Sequence, residues 1–368
     1  RPLPWLEAER EMAILRRRYE EAVEILKSAQ GGDRGERDLL RPLPCYLVLG
    51  PRGAGKTALI RHSGLERPAL EQFGAAGGKR SGGTENCDWW FTEEAVLLDT
   101  AGRYLTQDSN QVVDSAAWLG FLALLQRFHP QRPLNGVILA LSIPDLLSSG
   151  EEARQQLAGS TRKRINELYQ HLGERLPFYV LLTKADLLPG FVEFFEDLEQ
   201  NRRDASWGIT FTLNPEHPAA GLQDFAKEFE RLGRAIKQRS LDRLQQAGGG
   251  RKSALIYGFP SAVAALGEPL REFLTDVFLP SRFEPEFLLR GVYLVSGTQE
   301  GPPLDQLAAR LGTDVGLAHQ GLSAFSGKAK SYFLARLFRD VILPEAGLVT
   351  RDSGQEPRPA GRQLGALA

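Results

Sequence analysis

Residues 50–57 read Gly-Pro-Arg-Gly-Ala-Gly-Lys-Thr, a full match to G-x-x-x-x-G-K-[ST], and this stretch constrains the fold more tightly than any other. The motif has meaning only between a strand and a helix. An apolar run, Cys45–Leu49, stands before it, and a helical stretch, Lys56–His62, follows. Glycines let the backbone turn so that successive N–H groups face one anion, and the helix N-terminus adds its dipole. In this chemistry Lys56 reaches the β- and γ-phosphates and the Thr57 hydroxyl ligates Mg²⁺. Gly50, Arg52, Gly53, Ala54, Gly55, Lys56, Thr57 and Ala58 are the candidate phosphate-binding residues. The alternative is a glycine-rich turn that matches by chance, and the flanking elements argue against it.

Two later segments extend the pattern. The apolar strand Ala95–Leu98 ends in Asp99-Thr100-Ala101-Gly102-Arg103. In phosphate-loop NTPases such an aspartate holds Mg²⁺, and the glycine N–H senses the γ-phosphate, which makes Asp99 and Gly102 candidates. A structural turn aspartate is the plainer reading. After the strand Phe178–Leu182 comes Thr183-Lys184-Ala185-Asp186. Phosphate loop, D-x-x-G and T-K-x-D, in this order, resemble a guanine-nucleotide-binding domain. That resemblance implies that the Asp186 carboxylate accepts hydrogen bonds from the guanine edge while the Lys184 stem packs along the base. Adenine lacks the matching donor pair, so GTP is favoured over ATP. Thr183 stands where Asn is usual, which weakens that preference, and Asp186 could instead cap a short helix. A threonine near the Mg²⁺ is also needed, and Thr84 is the best candidate, although it could be an ordinary loop residue. The loop that backs the base has three candidate positions: after Trp207–Leu213, at Pro260-Ser261-Ala262, or at Ser296-Gly297-Thr298.

Strand candidates alternate with helical stretches along the chain. The remaining strands are Gly136–Leu141, Trp207–Leu213, Leu255–Phe259 and Gly291–Val295. The helices include Val112–Phe128, Glu151–Leu172, Phe191–Asn201, Leu222–Gln246 and Ala262–Val277. Continuous apolar runs suit strands covered on both faces, and the alternation indicates right-handed crossovers. The expected fold class is α/β, a mostly parallel sheet with helices on both faces, of the phosphate-loop NTPase (small GTPase-like) kind. Residues 1–32 form an N-terminal amphipathic helix and linker, with Met12, Leu15, Tyr19, Val23 and Leu26 at helical spacing. Residues 40–300 form the nucleotide-binding domain, with a helical insertion at about 214–252. Residues 301–350 form a helical extension containing Leu304–Leu311 and Ser331–Leu343, stopped by Pro344, and 351–368 a disordered tail. The Gly74–Gly83 stretch reads as a mobile loop.

Composition excludes several function classes. With 45 Lys+Arg against 46 Asp+Glu, bulk charge does not hold nucleic acid, and no nucleic-acid partner is expected. No apolar run approaches the ~18 residues that cross a bilayer. Two cysteines, Cys45 and Cys87, fit a reducing compartment and read as small buried apolar residues. The five histidines show no metal spacing. Trp89-Trp90-Phe91 is either a docking patch or, preferably, a hairpin strand with alternate side chains in the core. A first residue of Arg, not Met, suggests an internal fragment. Arg103 replaces the Gln that often orients the attacking water, and Arg52 crowds the γ-phosphate, so hydrolysis is expected to be slow. The opposing reading makes Arg52 or Arg103 a finger in cis, and with Lys56 these are the candidate catalytic residues.

Longer strings narrow the resemblance. Cys87–Thr92, Val96–Tyr104, Leu181–Asp186 with Gly190-Phe191, and Leu289–Tyr293 continuing to Ser296–Gly301 resemble the IcmF (TssM) family of bacterial type VI secretion inner-membrane proteins over roughly residues 40–310. The resemblance implies a cytoplasmic nucleotide-binding domain that binds Mg²⁺ with GTP or ATP at the inner membrane, anchored by transmembrane helices outside this chain. It implies contacts with the TssL cytoplasmic domain, a baseplate component such as TssK, and TssJ through other regions. Two functions compete: a nucleotide-dependent switch or slow NTPase, and a structural scaffold that binds nucleotide for stability alone or not at all.

Overall fold

A computed structural model describes residues 4–29, 43–65, 84, 87–128, 132–214, 220–280, 285–297 and 331–351. The linker after the first helix, the Gly74–Gly83 stretch, Leu304–Leu311 and the tail beyond residue 351 lie outside the described residues.

Seven strands form one sheet in the order β2-β3-β1-β4-β6-β8-β7. They are β1 (Cys45–Leu49), β2 (Cys87–Phe91), β3 (Val96–Thr100), β4 (Gly136–Ser142), β6 (Pro177–Thr183), β7 (Gly208–Thr210) and β8 (Leu288–Leu294). The five central strands run parallel, and β2 and β7 pair antiparallel at the two edges. The fold is therefore α/β with a mostly parallel sheet. β1, β3, β4 and β6 are buried at every residue, so each presents apolar side chains to both faces.

Alternate residues divide between two cores. Leu47, Leu98, Leu139 and Val180 join one apolar cluster; Tyr46, Val48, Leu97, Ile138 and Tyr179 join the other. The first is covered by α4 (Gln111–Phe128), α6 (Glu151–Leu172) and α11 (Gly267–Phe278). The second is covered by the short α2 (Lys56–Arg61) and by residues 331–348. That C-terminal stretch supplies Leu334, Leu337, Phe338 and Ile342. It is a strap across the sheet, further fixed where Tyr46 donates to the Ile342 carbonyl at 2.9 Å and Asn135 to the Ala346 carbonyl at 2.9 Å. Thr350–Arg351 (β9) pairs with Glu174–Arg175 (β5).

The first helix, α1 (Pro4–Ala29), packs on α4 and β2. Leu15 and Tyr19 are buried, and Tyr19 meets Trp89 with ring centroids 4.9 Å apart. Arg18 pairs with Asp88 on β2. Within β2, Cys87, Trp89 and Phe91 point into the core while Asp88 and Trp90 are half-buried, the alternation of a hairpin strand.

Four sequence expectations change. Leu255–Phe259 is not a strand; it lies inside α10 (Gly250–Ala264). Ile256, Phe259 and Val263 are the buried positions, a helical spacing that a five-residue apolar run does not reveal. Pro260 removes the N–H that would bond the Ile256 carbonyl, and Ser240 of α9 (Ala220–Gln246) donates to that carbonyl at 3.1 Å. The helices between β7 and β8 therefore run on beyond residue 252, to Phe278. Phe191–Asn201 is two short helices, α7 (Phe191–Phe195) and α8 (Gln200–Asp204). Ser331–Leu343 is a three-residue α-turn (Ala335–Leu337), then a π-turn (Phe338–Ile342), then a 3₁₀ helix (Leu343–Leu348). Pro344 begins that last helix instead of ending one, because a proline in the first turn has no N–H to lose.

Candidate nucleotide-binding site

The 50–57 turn, the 99–102 bend, residues 183–186 and Ser296 follow β1, β3, β6 and β8, so all lie at the carboxyl ends of parallel strands. The connection from β1 leads to one side of the sheet and that from β4 to the other, and ligands in open α/β sheets sit outside such a reversal.

Residues 50–57 are held in a tight bend. Gly53 and Gly55 have φ of +82° and +79°. A Cβ on Gly50 would lie 2.4 Å from the Ala140 carbonyl oxygen, and one on Gly102 2.3 Å from the Arg52 nitrogen. Glycine at both positions lets β4 and the bend after Asp99 press against the loop's backbone. Lys56 is 7% exposed, and its ammonium donates to the carbonyls of Gly50 at 2.8 Å and Pro51 at 3.0 Å. Burial lowers its pKa to about 8, against the pull of Asp99.

Two hydroxyls converge on Asp99. Thr57 Oγ1 donates to Asp99 Oδ2 at 2.5 Å and Thr84 Oγ1 to the same oxygen at 2.9 Å, the hydroxyls being 3.3 Å apart. Asp99 is fully buried, and its Oδ1 has no hydrogen-bond partner among the described residues. Burial raises the Asp99 pKa, and the two hydroxyls and Lys56 oppose it. One carboxylate and two hydroxyls are hard oxygen donors, a set suited to Mg²⁺, which keeps several waters and takes the rest of its shell from phosphate. Among the described residues no cluster of three or more His, Cys, Asp or Glu could hold a metal ion.

On the other side, Thr183 donates to the Ala54 carbonyl at 2.7 Å, with the Leu141 carbonyl as second acceptor at 3.2 Å. Thr183 thus ties β6 to the loop. Lys184 has φ +60°, uncommon for a residue with a side chain, and it turns the chain into a 3₁₀ turn at Ala185–Leu187. Asp186 Oδ1 accepts from Ser296 Oγ at 2.6 Å. Burial raises the Asp186 pKa, and this bond opposes it. Of the three positions considered for a loop behind the base, Ser296-Gly297 is joined to Asp186 by this bond, whereas Pro260-Ser261-Ala262 is inside α10, and Thr298 lies outside the described residues. Gly55, Ala58, Thr183, Lys184, Gly297 and Leu334 line a cleft of about 20 Å³ here. Leu334 reaches it from the strap, since Tyr332 exchanges two backbone hydrogen bonds with Ser296. No local sequence signal marked Leu334, whose cleft neighbour Gly55 is far distant in the chain.

Arg52 is exposed on the loop. Arg103 turns away from it: its guanidinium bonds Asp114 of α4 at 2.9 Å and Glu11 of α1 at 2.8 Å, and stacks 5.3 Å from the Tyr104 ring centroid. It fastens the first helix to the bend after Asp99. Cys45 and Cys87 are free thiols, buried, and burial pushes both pKa values up, which suits packing and not nucleophilic chemistry.

Comparison with known proteins adds two findings. The IcmF-related N-terminal domain family matches residues 111–368. The type VI secretion system component TssM1 of Pseudomonas aeruginosa is 47% identical over 359 residues, covering 97% of this chain and 32% of that protein. The chain thus spans about a third of that relative's length, and the shared region includes most of the chain. No helix among the described residues is long and apolar enough to cross a membrane. On these matches, the chain belongs to the IcmF-related family of type VI secretion components.

Proposed function

We propose that this chain is a phosphate-loop domain that binds a nucleoside triphosphate with Mg²⁺ and acts as a switch in a secretion membrane complex, hydrolysing its ligand slowly at most. The observation that carries this reading is the convergence of Thr57 and Thr84 on Asp99 beside the 50–57 turn. Backbone N–H groups of Gly53–Thr57 and the Lys56 ammonium would hold the phosphates. Thr57, Thr84 and Asp99 would hold Mg²⁺, whose charge neutralises the phosphate oxygens. Gly102 would respond to the third phosphate, because its backbone already abuts that of Arg52.

Asp186, oriented by Ser296, supports guanine recognition, with Lys184 along the base; ATP is the other candidate. A cleft of about 20 Å³ holds roughly one water, so base binding requires Leu334 and Lys184 to part. The ion pairs of Arg103 support slow turnover, since that residue, where Gln often orients water, is engaged elsewhere. The same ion pairs and the narrow cleft favour the second reading, a scaffold in which nucleotide only stabilises the fold.

In this proposal the domain sits on the cytoplasmic face of the inner membrane. It meets the TssL cytoplasmic domain and a baseplate component such as TssK, and reaches TssJ and the membrane through regions outside this chain. Calorimetry with GTP, GDP, ATP and ADP, each with Mg²⁺, tests the site. GTP is expected to bind more tightly than ATP. Asp186→Asn should reduce that discrimination by about tenfold, or about 1.4 kcal/mol; an unaltered ratio makes Asp186 a structural residue. A TssL fragment that binds equally well with di- and triphosphate present rules out the switch and leaves the scaffold.

A further inference from the structure

A groove of about 420 Å³ runs between the turn at Leu105–Gln111 and one face of α6, apart from the phosphate loop. Its α6 wall is Gly159, Ser160, Lys163 and Arg164, and Gln107 and Asp108 stand opposite.

Three features of this groove lack an explanation among the described residues. Arg164 is 1% exposed, yet its bonding is confined to Glu167 at 3.0 Å and the face of Trp118 at 5.9 Å; its Nε and Nη1 have no hydrogen-bond partner among the described residues. A buried guanidinium with unmade hydrogen bonds is costly. Gln107 has φ +52°, and its buried Nε2 is likewise without a partner among the described residues. Gly159 lies in the interior of a 22-residue helix, where alanine would be favoured. A Cβ at Gly159 would meet nothing within 4 Å, so packing inside the chain does not require glycine there.

Among the groove's lining residues the unmade bonds are all donors, the nearby unpaired acceptor Glu167 Oε2 lying outside the lining, and the exposed Lys163 adds a positive charge against Asp108, so the occupant must bring acceptors. The bare floor at Gly159 and Ser160 suits the close approach of another backbone, which a lone ion does not need. We propose that the groove receives an acidic segment of a partner protein. These atoms have almost no accessible surface, so a Glu or Asp carboxylate takes the unmade N–H groups of Arg164 as the Gln107 side chain on the groove wall shifts aside, and the segment's main chain passes over Gly159. The groove starts at Leu105, in the short helix Gly102–Thr106 that follows the Asp99 bend, so an occupant presses on that helix. The docking itself does not depend on nucleotide.

The test is calorimetry on the 368-residue chain without nucleotide, with three probes: a capped tetraglutamate peptide, a capped tetraglutamine peptide, and glutarate. Tetraglutamate is expected to bind and tetraglutamine not. Arg164→Gln should weaken tetraglutamate at least tenfold. Gly159→Leu, which covers the floor with a better helix former, should do the same without lowering the melting temperature, and it keeps the test decisive if Arg164→Gln does not fold. No tetraglutamate binding, an affinity untouched by Gly159→Leu, or glutarate binding as tightly as the peptide would each overturn the proposal.

Discussion

Lys56→Ala is expected to weaken triphosphate binding at least a hundredfold, about 2.8 kcal/mol, while leaving the fold in place. The ammonium is the only charged side chain of the 50–57 turn that is buried, and it is pinned over the loop by the Gly50 and Pro51 carbonyls. Burial disfavours its charged form and lowers its pKa to about 8, with Asp99 the opposing influence. An anion arriving at the loop would offset that cost, which makes Lys56 a main contributor to the expected affinity. Removing it leaves Asp99 without its nearby cation and the two carbonyls without their donor. Those losses fall within the loop, and the flanking strands stay packed. Calorimetry with GTP and ATP in excess Mg²⁺ measures the effect, and circular dichroism confirms the fold. An affinity equal to that of the unaltered chain would show that 50–57 is a structural turn.

The sheet was legible in the sequence where strands are buried on both faces, because burial there writes itself as an unbroken apolar run. Cys45–Leu49 and Phe178–Leu182 are of that kind. Leu255–Phe259 has the same appearance and is helical, since five residues are too few to display a period. What decides it is Ser240 capping the Ile256 carbonyl that Pro260 leaves open, a contact no local pattern encodes. At the candidate site, spacing brought Lys56, Thr57 and Asp99 to attention as residue types at strand ends. That Thr84 reaches the Asp99 carboxylate, and that Ser296 reaches Asp186, depends on tertiary pairing. The environment of Arg103 was illegible for the same reason: its partners, Glu11 and Asp114, come from two helices that meet only in the folded chain. The strap was the largest omission. Its apolar residues suggested a helix of its own, whereas their partners are the second face of the sheet.

The strap leads to the largest expected effect on stability. Arg290 of β8 is buried; its Nε and Nη2 grip Glu345 of the strap at 2.9 and 2.5 Å, and its Nη1 donates to the Phe211 carbonyl at 2.7 Å. Tyr179 adds a hydroxyl to the same carboxylate at 2.8 Å. Arg290→Met would strand Glu345 beside Tyr179 and leave the Phe211 carbonyl unpaired. Breaking a buried pair from one side costs about 3–5 kcal/mol, and the partial exposure of Glu345 sets the expectation near 3 kcal/mol. Urea unfolding should show the midpoint falling with the slope preserved. The double variant Arg290→Met with Glu345→Leu should recover most of the loss, because the penalty belongs to the orphaned charge and an apolar pair of similar bulk removes it. Strictly additive losses would mean that the two residues act separately and that the pair does not hold the strap. If they do hold it, loosening that anchor frees Leu334, which lines the cleft beside Lys184. Base affinity should then change in the single variant and return toward its original value in the double one, linking the sheet's second face to the candidate site.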